Sequence, residues 1–276
     1  MRGLMQGDHL LISSLIEFAN KNHGDSEIIS RRVEGDIHRS NWATIYKRSK
    51  QVARALDRLQ IAAGERVATL AWNGYRHLEL YYGVSGSERV LHTLNPRLLP
   101  DQIAWIIDHA QDQVVCFETT FVPIIKAIHA NCPHVKYWIA LCDEAALPLD
   151  PGLPTVISYE SWIKAEEGGS YTWPQFDENT ASSMCYTSGT TGHPKAALYS
   201  HRSTLLHAFS TCQVDAPEPT YPYAITFAPE LSEAKKENIW LISVLLEYGN
   251  VNVADVELLV PVIVKETNTV LPIFLV

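Results

Sequence analysis

The 276-residue chain has no Cys-x-x-Cys pair, no surplus of basic residues and no apolar run of membrane-spanning length. Its five cysteines, Cys116, Cys132, Cys142, Cys185 and Cys212, are scattered and odd in number. That usage excludes a disulfide framework and points to reduced thiols and a cytoplasmic setting. His129, Cys132 and His134 lie close together, but their spacing fits no zinc pattern and Pro133 interrupts it. A helix end is expected there, and no metal. The formal charge of −9 argues against a nucleic-acid partner, which would want a basic face. It does not argue against an anionic ligand, because one local lysine can hold phosphate inside an acidic protein.

Residues 10–16 imitate the apolar part of a signal peptide, but Asp8 precedes them, Glu17 follows, and no small-residue cleavage site comes next. Leu11, Ile12, Leu15 and Ala19 fall on one helical face, so a packed amphipathic helix capped by Asp8 is expected instead. Nothing approaches the roughly 20 apolar residues of a membrane-crossing helix, so no transmembrane segment is expected.

Two further absences concern the last 64 residues. All 12 arginines lie at or before Arg202, and only one of 14 glycines, Gly249, falls after Cys212. Residues 213–276 are therefore read as a divergent tail. Pro217, Pro219 and Pro222 suggest an irregular linker. Ser232 is placed to cap a helix carrying Ile239, Ile242, Leu245 and Leu246, and residues 258–264 and 269–276 are β-prone.

What is present fits a globular protein of one or two domains, with 46% apolar and 19% charged residues. Trp42, Ile45, Tyr46, Ser49, Val52, Ala53 and Leu56 repeat at helical spacing after the candidate cap Ser40. Residues 66–72 follow Gly64 as a buried strand. Pro100 opens a helix with the stripe Ile103, Ile106, Ile107 and Ala110. Residues 114–117 read as a strand, and Phe121, Ile124, Ile125 and Ile128 as a helix capped by Thr119 or Thr120. Residues 135–141 and 156–159 are further strands, set among the loops 143–154 and 166–177, with Trp162 and Trp173 at core edges. Alternation of this kind implies an α/β fold, mainly parallel sheets covered by helices, with ligands in crevices at the strand ends.

The most informative segment is residues 186–197, Tyr-Thr-Ser-Gly-Thr-Thr-Gly-His-Pro-Lys-Ala-Ala. Gly189 and Gly192 let the backbone approach a ligand without a Cβ in the way. Thr187, Ser188, Thr190 and Thr191 supply hydroxyls, the backbone N–H groups of such a turn form an anion site, and Lys195 adds a mobile positive charge. A plain Ser/Thr/Gly surface turn would not require that lysine. A P-loop is excluded, because the two glycines are three residues apart and Ala196 follows the lysine, and so is the dinucleotide fingerprint.

The string resembles the phosphate-binding signature Thr-Ser-Gly-Thr-Thr-Gly-x-Pro-Lys of the adenylate-forming superfamily, which contains acyl-CoA synthetases, luciferases and peptide-synthetase adenylation domains. Residues 187–195 match it at every fixed position, and Ser200-His201 is similar to the step that opens the next helix. Gly64-Glu65-Arg66-Val67-Ala68, Trp72-Asn73, residues 77–83 and His92-Thr93-Leu94-Asn95-Pro96-Arg97-Leu98 resemble the medium- and long-chain fatty-acyl branch. The similarity spans residues 8–212, so residues 1–212 are expected to form an incomplete N-terminal domain of that fold, ending just after the phosphate loop.

The resemblance implies ATP, Mg²⁺ and coenzyme A as cofactors and a fatty acid as the acyl substrate, and leaves a homo-oligomer open. It assigns phosphate contacts to Thr187, Ser188, Gly189, Thr190, Thr191, Gly192 and Lys195. No catalytic residue is identified. The family's later aromatic-Gly-x-Thr-Glu segment, ribose-binding aspartate, hinge and C-terminal lysine have no counterparts in residues 213–276; Tyr248-Gly249 is a two-residue echo. A truncation, a frameshifted or mis-spliced ending and a gene fusion would each produce this pattern, and the tail is expected to pack poorly. The readings are an acyl-CoA synthetase crippled as this polypeptide, a non-catalytic phosphate-binding remnant that pairs with a full-length relative, and an adenylating ligase for aryl or amino acids.

Overall fold

The computed structural model describes residues 7–187 and 194–211, together with the two-residue strand Ile263–Val264. Helix α1 (Ile12–His23), strands β1 (Glu27–Arg31) and β2 (Ile37–Asn41) and helix α2 (Trp42–Arg58) come first. Strand and helix then alternate through β3 (Arg66–Leu70), α3 (Tyr75–Ser85), β4 (Val90–Thr93), α4 (Pro100–Ala110), β5 (Val114–Phe117), α5 (Val122–Ile128) and β6 (Tyr137–Ala140). After these come β7 (Val156–Ser158), α6 (Tyr159–Lys164), β8 (Ala181–Thr187), β9 (Lys195–Ser200), α7 (His201–Thr211) and β10 (Ile263–Val264).

Seven strands form one sheet in the order β7-β6-β5-β3-β4-β8-β9, parallel throughout except for the antiparallel β8–β9 pair. The small sheet β10-β1-β2 is antiparallel. Alternate strand residues serve opposite faces. Val67, Leu91, Val114, Cys116 and Ile139 pack with α1, α2, α3 and α6, while Ala68, Leu70, Val115, Phe117 and Ala140 pack with α4 and α5. The α/β reading with a mainly parallel, helix-covered sheet describes this architecture. Residues 212–262 and 265–276, most of the expected tail, lie outside the described residues.

Helix α3 lies wholly inside. Its Gly83 lets it close on α2, because a Cβ there would stand 2.6 Å from Val52 side-chain atoms and 2.8 Å from the Ser49 carbonyl oxygen. Buried charges on α3 are paired. Glu79, fully buried, meets Arg48 Nε at 2.6 Å and accepts from the Tyr159 hydroxyl at 2.8 Å. Arg76, 3% exposed, donates to Glu160 (2.9 Å), Glu34 (2.9 Å), Asp143 (3.1 Å) and the Leu141 carbonyl (2.9 Å). One guanidinium thus joins the β1–β2 connection, the end of β6 and α6.

Three expected helix caps move. Asp8 does not cap α1; Leu11 holds that position, and His201 Nδ1, brought in from α7, accepts the Ile12 N–H at 3.1 Å. Asn41, not Ser40, caps α2 by accepting from Thr44 N. Thr119 and Thr120 belong to a 3₁₀ turn, and Phe121 precedes α5 without a side-chain bond. In the first case a distant side chain satisfies an amide that the sequence assigned to a neighbour.

Candidate functional site

Strand β8 carries the start of the Gly-rich segment. Ser182, Ser183 and Met184 are buried beside β4, and the strand continues past β4 to the exposed Thr187. Because β8 runs parallel to β4, its carboxyl end emerges on the same edge as those of β3, β4, β5 and β6. Open α/β sheets bind ligands beyond that edge. Strand β9 returns antiparallel at the border of the sheet, with Thr187 paired to Lys195. The Thr187 hydroxyl donates to the Lys195 carbonyl at 3.4 Å, and both residues are exposed.

Lys195 therefore begins the second strand of the hairpin, and the structure brings Thr187 and Lys195 together at its mouth. Ser188, Gly189, Thr190, Thr191 and Gly192 lie outside the described residues. The chain then enters α7 at His201, where the Ser200 hydroxyl oxygen accepts the Ser203 N–H at 3.0 Å. This turn gives β9 a fixed end.

Behind the mouth, Tyr186 is half-buried on the face covered by α4. Its ring meets Trp105 edge-on at 6.4 Å and His92 at 5.3 Å, and its hydroxyl lies 2.7 Å from His109 Nδ1. Trp105 stacks on His109 at 4.6 Å. Burial pushes the Tyr186 hydroxyl above its ordinary range, with the Asp112 charge adding to the rise, so it keeps its proton. His92 and Asp112 are both fully buried, with Nδ1 2.9 and 2.8 Å from the two carboxyl oxygens. Helix α4 ends at Gln111 in the left-handed region (φ 56°), which turns Asp112 back toward the sheet. Burial raises the Asp112 carboxyl, and His92 opposes that rise.

Tyr186 opens the loop string, but Trp105, His109 and Asp112 carry no local signature in the sequence. His92 appeared only inside a family-like string, and it reaches Tyr186 because β4 and β8 run in register, with His92 opposite Met184. A second group that sequence reasoning missed lies where β3 and β5, adjacent in the sheet, send their connections to opposite sides. There Trp72 Nε1 donates to the Thr120 hydroxyl at 3.1 Å, and Glu118 is 7% exposed with its Oε2 unpartnered among the described residues. The His129–Asn131 segment is a 3₁₀ turn that closes α5, and Cys132 Sγ donates to the Ile128 carbonyl at 3.4 Å. Among the described residues no group of three or more His, Cys, Asp or Glu is arranged to hold a metal, and no helix is long and apolar enough to cross a membrane.

Residues 16–229 match the family of AMP-binding enzymes, a span that runs beyond the boundary at Cys212 drawn from the sequence. The chain is 47% identical over 213 residues to a 3-methylmercaptopropionyl-CoA ligase of Ruegeria lacuscaerulensis, covering 76% of this chain and 39% of that ligase. It is 45% identical over 215 residues to a medium-chain-fatty-acid–CoA ligase of Ectopseudomonas oleovorans, covering 78% of this chain and 39% of that protein. Against the fatty acyl CoA synthetase structure of Mycobacterium tuberculosis the TM-score is 0.60 at 21% identity, over 77% of this chain and 38% of that one. An anthranilate CoA ligase structure in complex with anthranoyl-AMP gives 0.62 at 20% identity, over 71% and 36%. Both structures are similar in fold. The chain spans 39% of the length of the two curated ligases above. The match over residues 16–229 makes this chain a member of the AMP-binding enzyme family.

Proposed function

We propose that the chain is the phosphate-binding front portion of a fatty-acid–CoA ligase. The observation that carries this reading is the pairing of Thr187 with Lys195 at the carboxyl edge of a parallel sheet, with the phosphate-loop string between them. Thr187, Ser188, Gly189, Thr190, Thr191 and Gly192 wrap the β- and γ-phosphates of ATP, and Lys195 neutralises part of their charge. An exposed lysine and hydroxyl at a hairpin mouth fit phosphate oxygens. Mg²⁺ carried by the nucleotide would supply charge screening of its phosphates there.

In the first half-reaction a fatty carboxylate oxygen attacks the α-phosphorus of ATP. The α–β bridging bond breaks, and acyl-adenylate and pyrophosphate form. In the second, the thiol of coenzyme A attacks the acyl carbon, AMP leaves, and the thiol proton passes to solvent. Both steps depend on charge stabilisation and positioning. The names of the aliphatic acyl-CoA ligases among its relatives support a linear aliphatic acid over an aryl or amino acid.

The α-phosphate and ribose contacts and the C-terminal lysine of the family pattern are not spelled in these 276 residues. Losing one well-placed electrostatic group costs on the order of 10²–10³ in rate, so losing several leaves almost nothing. The 276-residue polypeptide, given octanoate to palmitate, ATP, Mg²⁺ and coenzyme A, is therefore expected to form negligible thioester and to catalyse negligible pyrophosphate exchange into ATP. Robust turnover that Lys195→Ala abolishes would show that these residues carry the whole catalytic set.

A further inference from the structure

We infer that Tyr186 and His109 form a positioning pair that fixes where the phosphate loop leaves β8, and so sets how tightly polyphosphate is held. The inference rests on the phosphate-binding reading of residues 187–195. Tyr186 is the last partly buried residue before the exposed Thr187. Its neighbours come from two other elements. His92 lies on β4, pinned from below by Asp112, and Trp105 and His109 lie on α4. The hydroxyl and His109 Nδ1 share a hydrogen bond of 2.7 Å. Trp105, stacked on the same imidazole, holds its plane.

Neither ring needs to touch the ligand. The hydrogen bond ties the first strand of the hairpin to α4, one residue before the loop begins. Without it, β8 is anchored past the end of β4 by its antiparallel partner β9, an edge strand with no buried side chain. The exit of β8 at Thr187 and its partner Lys195 would then have to be ordered at the moment of binding, which costs affinity. A purely structural role would act through fold stability. A positioning role acts on binding at unchanged stability, because His109 is exposed and the pair sits at the rim of the core.

The test is calorimetric titration of the 276-residue chain with Mg–ATP, in wild type, Tyr186→Phe, His109→Ala, His109→Asn, the double variant Tyr186→Phe/His109→Ala, and Lys195→Ala. Tyr186→Phe and His109→Ala should each weaken binding about 3- to 10-fold, the net worth of one hydrogen bond. The double variant should be no weaker than the weaker single, since both remove the same bond. His109→Asn, whose Oδ1 can take the place of Nδ1, should restore most of the affinity. Melting temperatures should stay within ~2 °C of wild type. If Lys195→Ala weakens binding while the Tyr186 and His109 variants stay within twofold of wild type, the positioning role is wrong and the loop assignment stands. Additive losses in the double variant, or losses matched by falling melting temperatures, also overturn it. If wild type does not bind, or Lys195→Ala binds as well as wild type, the loop assignment itself has failed and the positioning role falls with it.

Discussion

Replacing Arg76 by methionine should destabilise the folded domain by about 3–5 kcal/mol, the usual cost of removing one partner from a buried ion cluster. Its guanidinium is 3% exposed and reaches three carboxylates and a backbone carbonyl. Glu34 and Asp143 can rehydrate, since their side chains are 19% and 48% exposed. Glu160 and the Leu141 carbonyl lose more, although Glu160 keeps Arg48 at 2.9 Å and the Tyr75 hydroxyl at 3.0 Å. The total is a large fraction of the 5–15 kcal/mol that holds a typical domain together. Urea unfolding measures it. Because the penalty comes from leaving charge uncompensated, Arg76→Met/Glu160→Met should recover a substantial part. A loss below about 1 kcal/mol for Arg76→Met would mean that this network is already hydrated.

Glu118 should make the fold weaken as pH rises. Burial pushes its carboxyl from 4.5 up to about 8; the Arg76 charge opposes the rise and Glu34 adds to it. The sign follows from proton counts. Between about 4.5 and about 8 the unfolded chain gives up this proton while the folded chain keeps it, so stability falls across that window and levels off above it. The shift corresponds to an upper bound of ~5 kcal/mol. Glu118→Gln, neutral at every pH, removes the dependence. The two proteins should be nearly equal at the acidic end of the window and separate at the basic end, with the Gln variant more stable. His77 and His201, both lowered to about 4 by burial, act at the other end, losing stability in both proteins as pH falls from 6.5 toward 4. Comparing the pair at each pH cancels them. Parallel pH profiles for wild type and Glu118→Gln would contradict the buried neutral carboxyl.

The elements legible in the sequence are those whose local chemistry decides their state. Residues 114–117 are four apolar or β-prone side chains bounded by Gln113 and Glu118, and β5 occupies that span. Pro100 sits at the start of α4 and its stripe faces α5 and the sheet. Helix α3 had no such signal. It is buried on all sides, so there is no polar face to set a period, and its charged residues are neutralised by partners far along the chain. The β1–β2 hairpin was missed because β2 is half-exposed and mostly polar. Tyr159–Lys164 was hidden for a similar reason, being too short for a periodic pattern and held by Trp162 in the core and Glu160 in the ion network.

The site divides in the same way. The hairpin that pairs Thr187 with Lys195 was legible because its turn is spelled out in contiguous residues. Asp112, His92 and His109 were not, since strand register and one left-handed residue after α4 bring them together with Tyr186, His92 to Asp112 across 20 positions and His109 to Tyr186 across 77.

In the proposed function the hairpin mouth between Thr187 and Lys195 binds the β- and γ-phosphates of a nucleotide. Competition against Mg–ATP bound to the 276-residue chain tests it most directly. Pyrophosphate should displace the nucleotide, AMP should not, and Lys195→Ala should weaken Mg–ATP binding at least tenfold. Displacement by AMP as effective as by pyrophosphate, with Lys195→Ala binding like wild type, would contradict it.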